Sequence, residues 1–261
     1  MFDAHSHLNF IAFKKDYAEI IGRSFNNKIK GIINVGSQLE TSKKAIKIAH
    51  EFFDKKIYAA IGLHPIHAND EKFNLKKYQK IARDPKVKAI GEIGLDYYRI
   101  SDVKTQNLQK EIFLQQLNLA KKNNLPVILH CRGSVEKPLK AYEEMLNILK
   151  KYPDLTGVIH CFGANWKIAE QFLCSNFYIS FTGNITFNNN KNIEEVIKKI
   201  PLNKILTETD CPYLTPEPFR GKRNEPLYVK YVIKKIAEIK NLDYEKVDKI
   251  TTQNAIKLFN I

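Results

Sequence analysis

Short apolar runs rich in β-formers alternate with longer segments of helical period along this chain, and that alternation predicts an α/β fold. Two further observations narrow it to one (β/α)8 barrel of TIM type. Eight such runs fall within 261 residues, close to the roughly 250 that an eight-unit parallel barrel takes. The rival, an open doubly wound sheet, usually has a glycine-rich phosphate loop after its first strand, and this sequence has none.

The expected strands are residues 1–8, 31–35, 57–63, 87–93, 126–130, 157–160, 177–181 and 204–209. The first reads MFDAHSHL, with Asp3, His5 and His7 at alternate positions; on a strand, alternate side chains share a face, so all three are expected to point one way. Between the strands lie amphipathic stretches at 41–53, 104–123 and 136–150. In 104–123, Leu108, Ile112, Leu117 and Ala120 recur at three- to five-residue steps among polar neighbours, the stripe of a helix with one buried face. Helices at 226–240 and 244–259 close the chain. With no low-complexity tract, no Gly/Ser linker and no break in composition, residues 1–261 read as a single domain.

No apolar stretch approaches the roughly 20 residues of a membrane helix, and the N-terminus lacks the basic start and long apolar core of a signal peptide. A cytoplasmic protein with no membrane contact and no obligatory protein partner is expected. Cys131, Cys161, Cys174 and Cys211 form no C-x-x-C pair, so reduced, structural thiols are expected. The balance of 42 basic and 28 acidic residues gives a net charge of +14, the sign that suits a polyanionic partner such as nucleic acid. The support is modest: lysine, asparagine and isoleucine abound throughout, and no single basic block stands out.

Barrel enzymes place their chemistry at the C-terminal ends of the strands. There the sequence sets His5 and His7 on the first strand, His64 after the third, Glu92 with Asp96 just beyond on the fourth, His130 on the fifth, His160 on the sixth and Asp210 after the eighth. His5, His7, Glu92, His130, His160 and Asp210 supply nitrogen and oxygen donors enough for two divalent ions. A glutamate at the end of an apolar strand is costly to bury unpaired, and a bridging cation removes that cost. Each residue alone is more often structural; their joint arrival at one end of five strands is not.

Through "DAHSHL", "GLHP", "GEIGLDYYR", "LPVILHCR", "IHCF", "TETDCPYL" and "RGKRNEP", essentially end to end, the chain resembles the TatD family of metal-dependent deoxyribonucleases, among the amidohydrolase-like barrels. The resemblance implies that His5, His7 and Asp210 hold one metal, that His130 and His160 hold the other, and that Glu92 bridges them. Many amidohydrolase-like relatives bridge with a carboxylated lysine on the fourth strand; Glu92 in that place favours the TatD branch.

A ligand set of this kind suits phosphodiester hydrolysis, with Asp210 holding the attacking water and serving as general base. The metal is expected to be zinc, manganese or magnesium. Asp3 and Glu208 share strand parity with His5 and Asp210 one layer deeper, where they are expected to orient the ligands. After the last strand, "DCPYLTPEPFRGKRNEP" offers Arg220, Lys222 and Arg223 for backbone phosphates and Tyr213 for stacking on a base or sugar. His64 is a further substrate-binding residue. Arg132, just beyond His130, is another phosphate residue, with strand parity expected to turn it away.

The function expected is hydrolysis of DNA, from an end or in single strands. The alternatives are a small-molecule amidohydrolase or phosphoesterase on the same barrel, which the charge and the Arg-rich last loop oppose, and a nucleic-acid-binding protein with a vestigial site, which the complete ligand set opposes. Polymerase- and histidinol-phosphatase-like phosphoesterases also open with His-x-His but need a longer list of ligands than this chain supplies.

Overall fold

The computed structural model describes residues 1–187 and 191–261. Strands β1 (Phe2–Ser6), β2 (Gly31–Val35), β3 (Ile57–Ile61), β4 (Val87–Asp96), β5 (Val127–Arg132), β6 (Gly157–Ile159), β7 (Phe177–Phe181) and β8 (Ile205–Thr207) pair in parallel in chain order. The two ends of the sheet then meet. Asp210 N–H donates to His5 O and His7 N–H to Cys211 O, both at 2.9 Å, and the sheet becomes a nearly closed barrel. Helices α1 (Tyr17–Asn26), α2 (Leu39–Glu51), α3 (Leu75–Ile81), α4 (Val103–Asn123), α5 (Lys140–Leu149), α6 (Trp166–Cys174), α7 (Lys191–Lys199), α8 (Val229–Lys240) and α9 (Tyr244–Phe259) follow the strands.

Alternation of side chains sorts the apolar residues into two layers. One buried cluster takes residues from every strand, including Phe2, Ala4, Ile33, Ala60, Ala89, Ile128, Val158, Tyr178 and Leu206, and fills the barrel; Ala255, Leu258 and Phe259 of α9 join it. The other faces outward from the strands, through Ile32, Ala59, Ile90, Val127, Ile159, Ile179 and Ile205, onto the helices.

Two strands break the alternation, and both carry site residues. Ile90 to Ile93 of β4 span three residues against two, Val127 to Leu129, of β5. Ile90 and Ile93 both lie in the outer layer, so the extra residue is what turns Glu92 inward; strict alternation from Ile90 would have faced it out. In β1 the register shifts in the same way between Asp3 and Ser6.

The expected elements are present with altered ends. β4 and β5 run on to Asp96 and Arg132 because Gly94, Leu95 and Asp96 keep pairing with His130, Cys131 and Arg132 after the apolar runs end. The helix expected at 136–150 starts only at Lys140, after Pro138, which has no N–H to donate. Helices α1, α3, α6 and α7 fill the connections for which the sequence defines no bounds.

Candidate metal centre

Glu92 stands at the middle of the site with its two oxygens facing different sets of rings. Oε2 lies 3.4 Å from His5 Nε2 and 3.7 Å from His7 Nε2. Oε1 lies 2.9 Å from His130 Nδ1, 3.1 Å from His64 Nε2 and 3.4 Å from His160 Nε2. On the first side Asp210 Oδ1 completes the group, 3.4 Å from His7 Nε2 and 3.8 Å from His5 Nε2, and the two Nε2 atoms are 3.1 Å apart. Four ligands at about 2.0–2.2 Å around a tetrahedral ion lie about 3.4 Å from one another. The donors of this chain already stand at that spacing, so the residues present fit a divalent cation.

Hydrogen bonds fix which nitrogen His7, His160 and His130 offer. His7 Nδ1 donates to Val35 O at 2.8 Å, leaving Nε2 for the centre. His160 Nδ1 donates to Glu208 Oε1 at 2.9 Å, again leaving Nε2. His130 is turned the other way: Nε2 bonds Asp96 Oδ2 at 3.0 Å and Nδ1 faces Glu92. His5 is stacked on His160 with centroids 3.9 Å apart. In each carboxylate–imidazole pair the acid holds the tautomer and makes the opposite nitrogen more basic.

His64 differs. Its Nδ1 accepts the Ile66 N–H at 3.1 Å, and burial lowers its pKa to about 4, so the ring is neutral with its proton on Nε2. That N–H, aimed at Glu92 Oε1, makes His64 a donor into the site although its ring belongs to a trio with Glu92 and His130 whose donor atoms lie within 4.8 Å. Burial opposes the charge on Glu92, but the imidazoles of His64, His160, His130 and His5 outweigh it and hold the carboxyl well below its usual range. Asp210 is held low in the same way, against burial, by His7, His160 and His5. Asp210 also takes a left-handed φ of 56°, a conformation that Asp tolerates better than most residues.

Several expectations are corrected. Asp3 does not orient a ring: its carboxylate accepts from Thr209 N–H at 2.8 Å and Thr209 Oγ1 at 2.7 Å, joining the ends of β1 and β8. It also accepts the His5 backbone N–H at 3.4 Å, so its link to that ligand runs through the main chain and not the ring. Arg223 is engaged within the protein. It makes a two-pronged pair with Asp16, one bond at 3.1 Å, donates to Ala12 O and lies over the Phe13 ring, so it anchors the last loop to the segment before α1. Arg132, two residues past His130 and in register with Asp96, lies on the site's side of β5. Arg220 sits over Phe187 near Glu217, and Tyr213 is exposed beside Asp210, to whose carbonyl its N–H donates. Of the thiols, Cys131 and Cys211 are buried, Cys161 is half-buried and Cys174 is exposed. Sequence reasoning assigns Asp96 no role; its place four residues after Glu92 on an extended strand is the signal that points to one.

A parallel barrel that converges imidazoles and carboxylates at the C-terminal ends of its strands defines the class of metal-dependent hydrolases built on TIM-type barrels. The chain belongs to the TatD family: the model of the TatD related DNases matches residues 2–260. It is 43% identical to the uncharacterized metal-dependent hydrolase YabD of Bacillus subtilis, over 100% of this chain and 99% of that one. Among solved structures it is similar to YjjV, a TatD homolog of Escherichia coli, with a TM-score of 0.88, 28% identity and coverage of 100% and 98%. A hydrolase of the TatD family from Entamoeba histolytica is similar at a TM-score of 0.85 and 25% identity, with coverage of 99% and 97%. With these relatives, the chain is a metal-dependent hydrolase. None of its helices among the described residues is long and apolar enough to cross a membrane.

Proposed function

We propose that the protein is a deoxyribonuclease that hydrolyses phosphodiester bonds with two divalent cations, zinc, manganese or magnesium. His5, His7 and Asp210 hold one, His130 and His160 the other, and Glu92 bridges them. The observation that carries this reading is the two-sided placement of Glu92, one oxygen towards each group of rings. When bound, such a pair of ions supplies Lewis acidity at the phosphoryl oxygens and lowers the pKa of the attacking water towards neutrality.

The chain supplies the rest. Asp210 commits Oδ1 to the histidines and has a second oxygen to hold the water and take its proton as general base. The His64 Nε2–H, on the other side of Glu92, is placed to donate to a phosphoryl oxygen as charge builds there. Glu208 and Asp96 keep His160 and His130 in their working tautomers. DNA is favoured over a small ester or amide by the net charge of +14 and by exposed Tyr213 and Arg220 in the loop after β8.

The test is turnover of the metal-loaded protein on single-stranded DNA, duplex DNA, RNA and a panel of small esters and amides, each with and without EDTA. The expected result is DNA cleavage that chelation abolishes and metal restores. Turnover of a small amide or ester with no cleavage of DNA would overturn the nuclease reading and leave the metal-dependent hydrolase standing.

A further inference from the structure

Six large apolar side chains are exposed among the described residues, and five of them, Ile11, Tyr98, Val103, Val135 and Tyr213, lie in the segments that follow strands, Val103 as the first residue of α4, on the side of the barrel mouth. Only Phe53 lies at the opposite end. A soluble rim is normally polar, so this concentration points to something that covers it. At one place the apolar rim meets an unspent charge. The Arg132 guanidinium carbon lies over the Tyr98 ring, 3.7 Å from its centroid, and among the described residues Arg132 makes no ion pair with a carboxylate.

We propose that Tyr98 and Arg132 form a subsite at the mouth of the barrel for the nucleotide next to the scissile phosphate of a single strand, the base on the tyrosine ring and the phosphate on the guanidinium. The subsite rests on the nuclease reading above and deepens it.

Stacking on Tyr98 occupies one face of the guanidinium and leaves its N–H edges for a phosphate, a geometry that lysine cannot copy. Arg132 lies over Tyr98, yet the residue remains 51% exposed, which leaves ring surface for a base. The position follows from the strand. Arg132 lies on the same side of β5 as His130 and two residues further out, about 7 Å along the chain, which is about one nucleotide of an extended strand. In a duplex the bases are stacked on each other and the ring would have nothing to receive, so the subsite selects unpaired nucleotides. Tyr97 turns the opposite way, its hydroxyl donating to Glu144 on α5 at 2.6 Å, which leaves Tyr98 as the ring of the pair that faces the mouth.

Binding is measured by fluorescence anisotropy of a labelled oligodeoxynucleotide in EDTA, so that nothing is turned over, and KM is then measured with metal restored. A series of oligonucleotides carries one abasic residue moved stepwise from the end. The wild type is expected to bind one member of the series about tenfold more weakly than the intact strand. Tyr98→Ala should erase that difference, and Tyr98→Phe should keep it. Arg132→Ala should lower the salt dependence of binding by about 0.7, one phosphate's worth on a single strand; Arg132→Lys, which keeps the charge but not the stacked fork, should restore the slope and still bind more weakly than the wild type. If the wild type cleaves DNA while Tyr98→Ala and Arg132→Ala keep its abasic discrimination and salt slope, the subsite is wrong and the nuclease reading stands. If the wild type neither binds nor cleaves an oligonucleotide, both fall together.

Discussion

His160 Nδ1 donates to Glu208 Oε1 at 2.9 Å, and that bond decides which nitrogen the ring presents to the centre. Glu208 is itself held, accepting from Cys161 N–H at 2.8 Å and from Ser180 Oγ at 2.7 Å. Three bonds converge on one fully buried carboxylate, which lies beside His5 and His160. Glu208→Gln keeps the shape and removes the charge. It is expected to weaken metal binding at one of the two positions by about 10- to 100-fold and to leave the other alone. Competition with a chromophoric chelator reads both affinities; two unchanged constants would remove Glu208 from the site.

Glu92 and His160 separate bridging from single-sided ligation. Glu92→Ala removes the oxygens that face both groups of rings, whereas His160→Ala removes one nitrogen on one side. Equilibrium dialysis followed by elemental analysis is expected to give two ions per chain for the wild type, none for Glu92→Ala and one for His160→Ala. Equal losses in the two variants would contradict the bridge.

His64 should behave as a donor. Because Ile66 N–H fills its Nδ1, the Nε2 proton stays in place and the lone pair needed by a metal is absent. His64→Gln is therefore expected to retain the wild-type metal content while kcat falls by about 10²- to 10³-fold, the usual cost of one donor to a developing oxyanion. Loss of an ion from this variant would return His64 to the ligand set.

Arg223 contributes to stability. Its bond to Asp16 is the main reason that the Asp16 carboxyl lies below its usual range. A depressed carboxyl stabilises the fold above the unfolded-state pKa of about 3.9 and loses that contribution as pH falls through the folded value. Solvent screening limits such a half-exposed pair to about 1 kcal/mol, so Arg223→Ala should lower Tm at pH 7 by roughly 2–4 °C. The gap to wild type should narrow as the pH drops below about 4, because the protonated acid has no ion pair to lose. A gap that is constant from pH 7 to pH 3 would show that Arg223 acts only through Phe13 and Ala12.

Much of the barrel was legible because its units are local. An apolar run such as GIINV at Gly31–Val35 and a helical stripe such as that of Val103–Asn123 carry their period within a few residues, and eight repetitions in one order leave few architectures to choose from. The donors at the strand ends were legible for the same reason: imidazole and carboxylate stand out at the end of an apolar run, where their burial needs explaining. The bounds of α3, α6 and α7 were not legible because each spans nine residues or fewer, too short for the period to show.

What pairing across the chain decides has no such local sign. Nothing in VKAIGEIGLD says that β4 spends three residues where β5 spends two, yet that mismatch turns Glu92 inward. Arg223 has a partner 207 residues away in Asp16, and Thr209 claims Asp3 from 206 residues away. From the sequence both looked available to the site. Residue type and local period therefore set which chemistry the chain carries and at which end of the strands it gathers. Strand register and long-range hydrogen bonds set which of those groups face the centre, because each donor bonds the acceptor that folding brings nearest, whatever separates them along the chain.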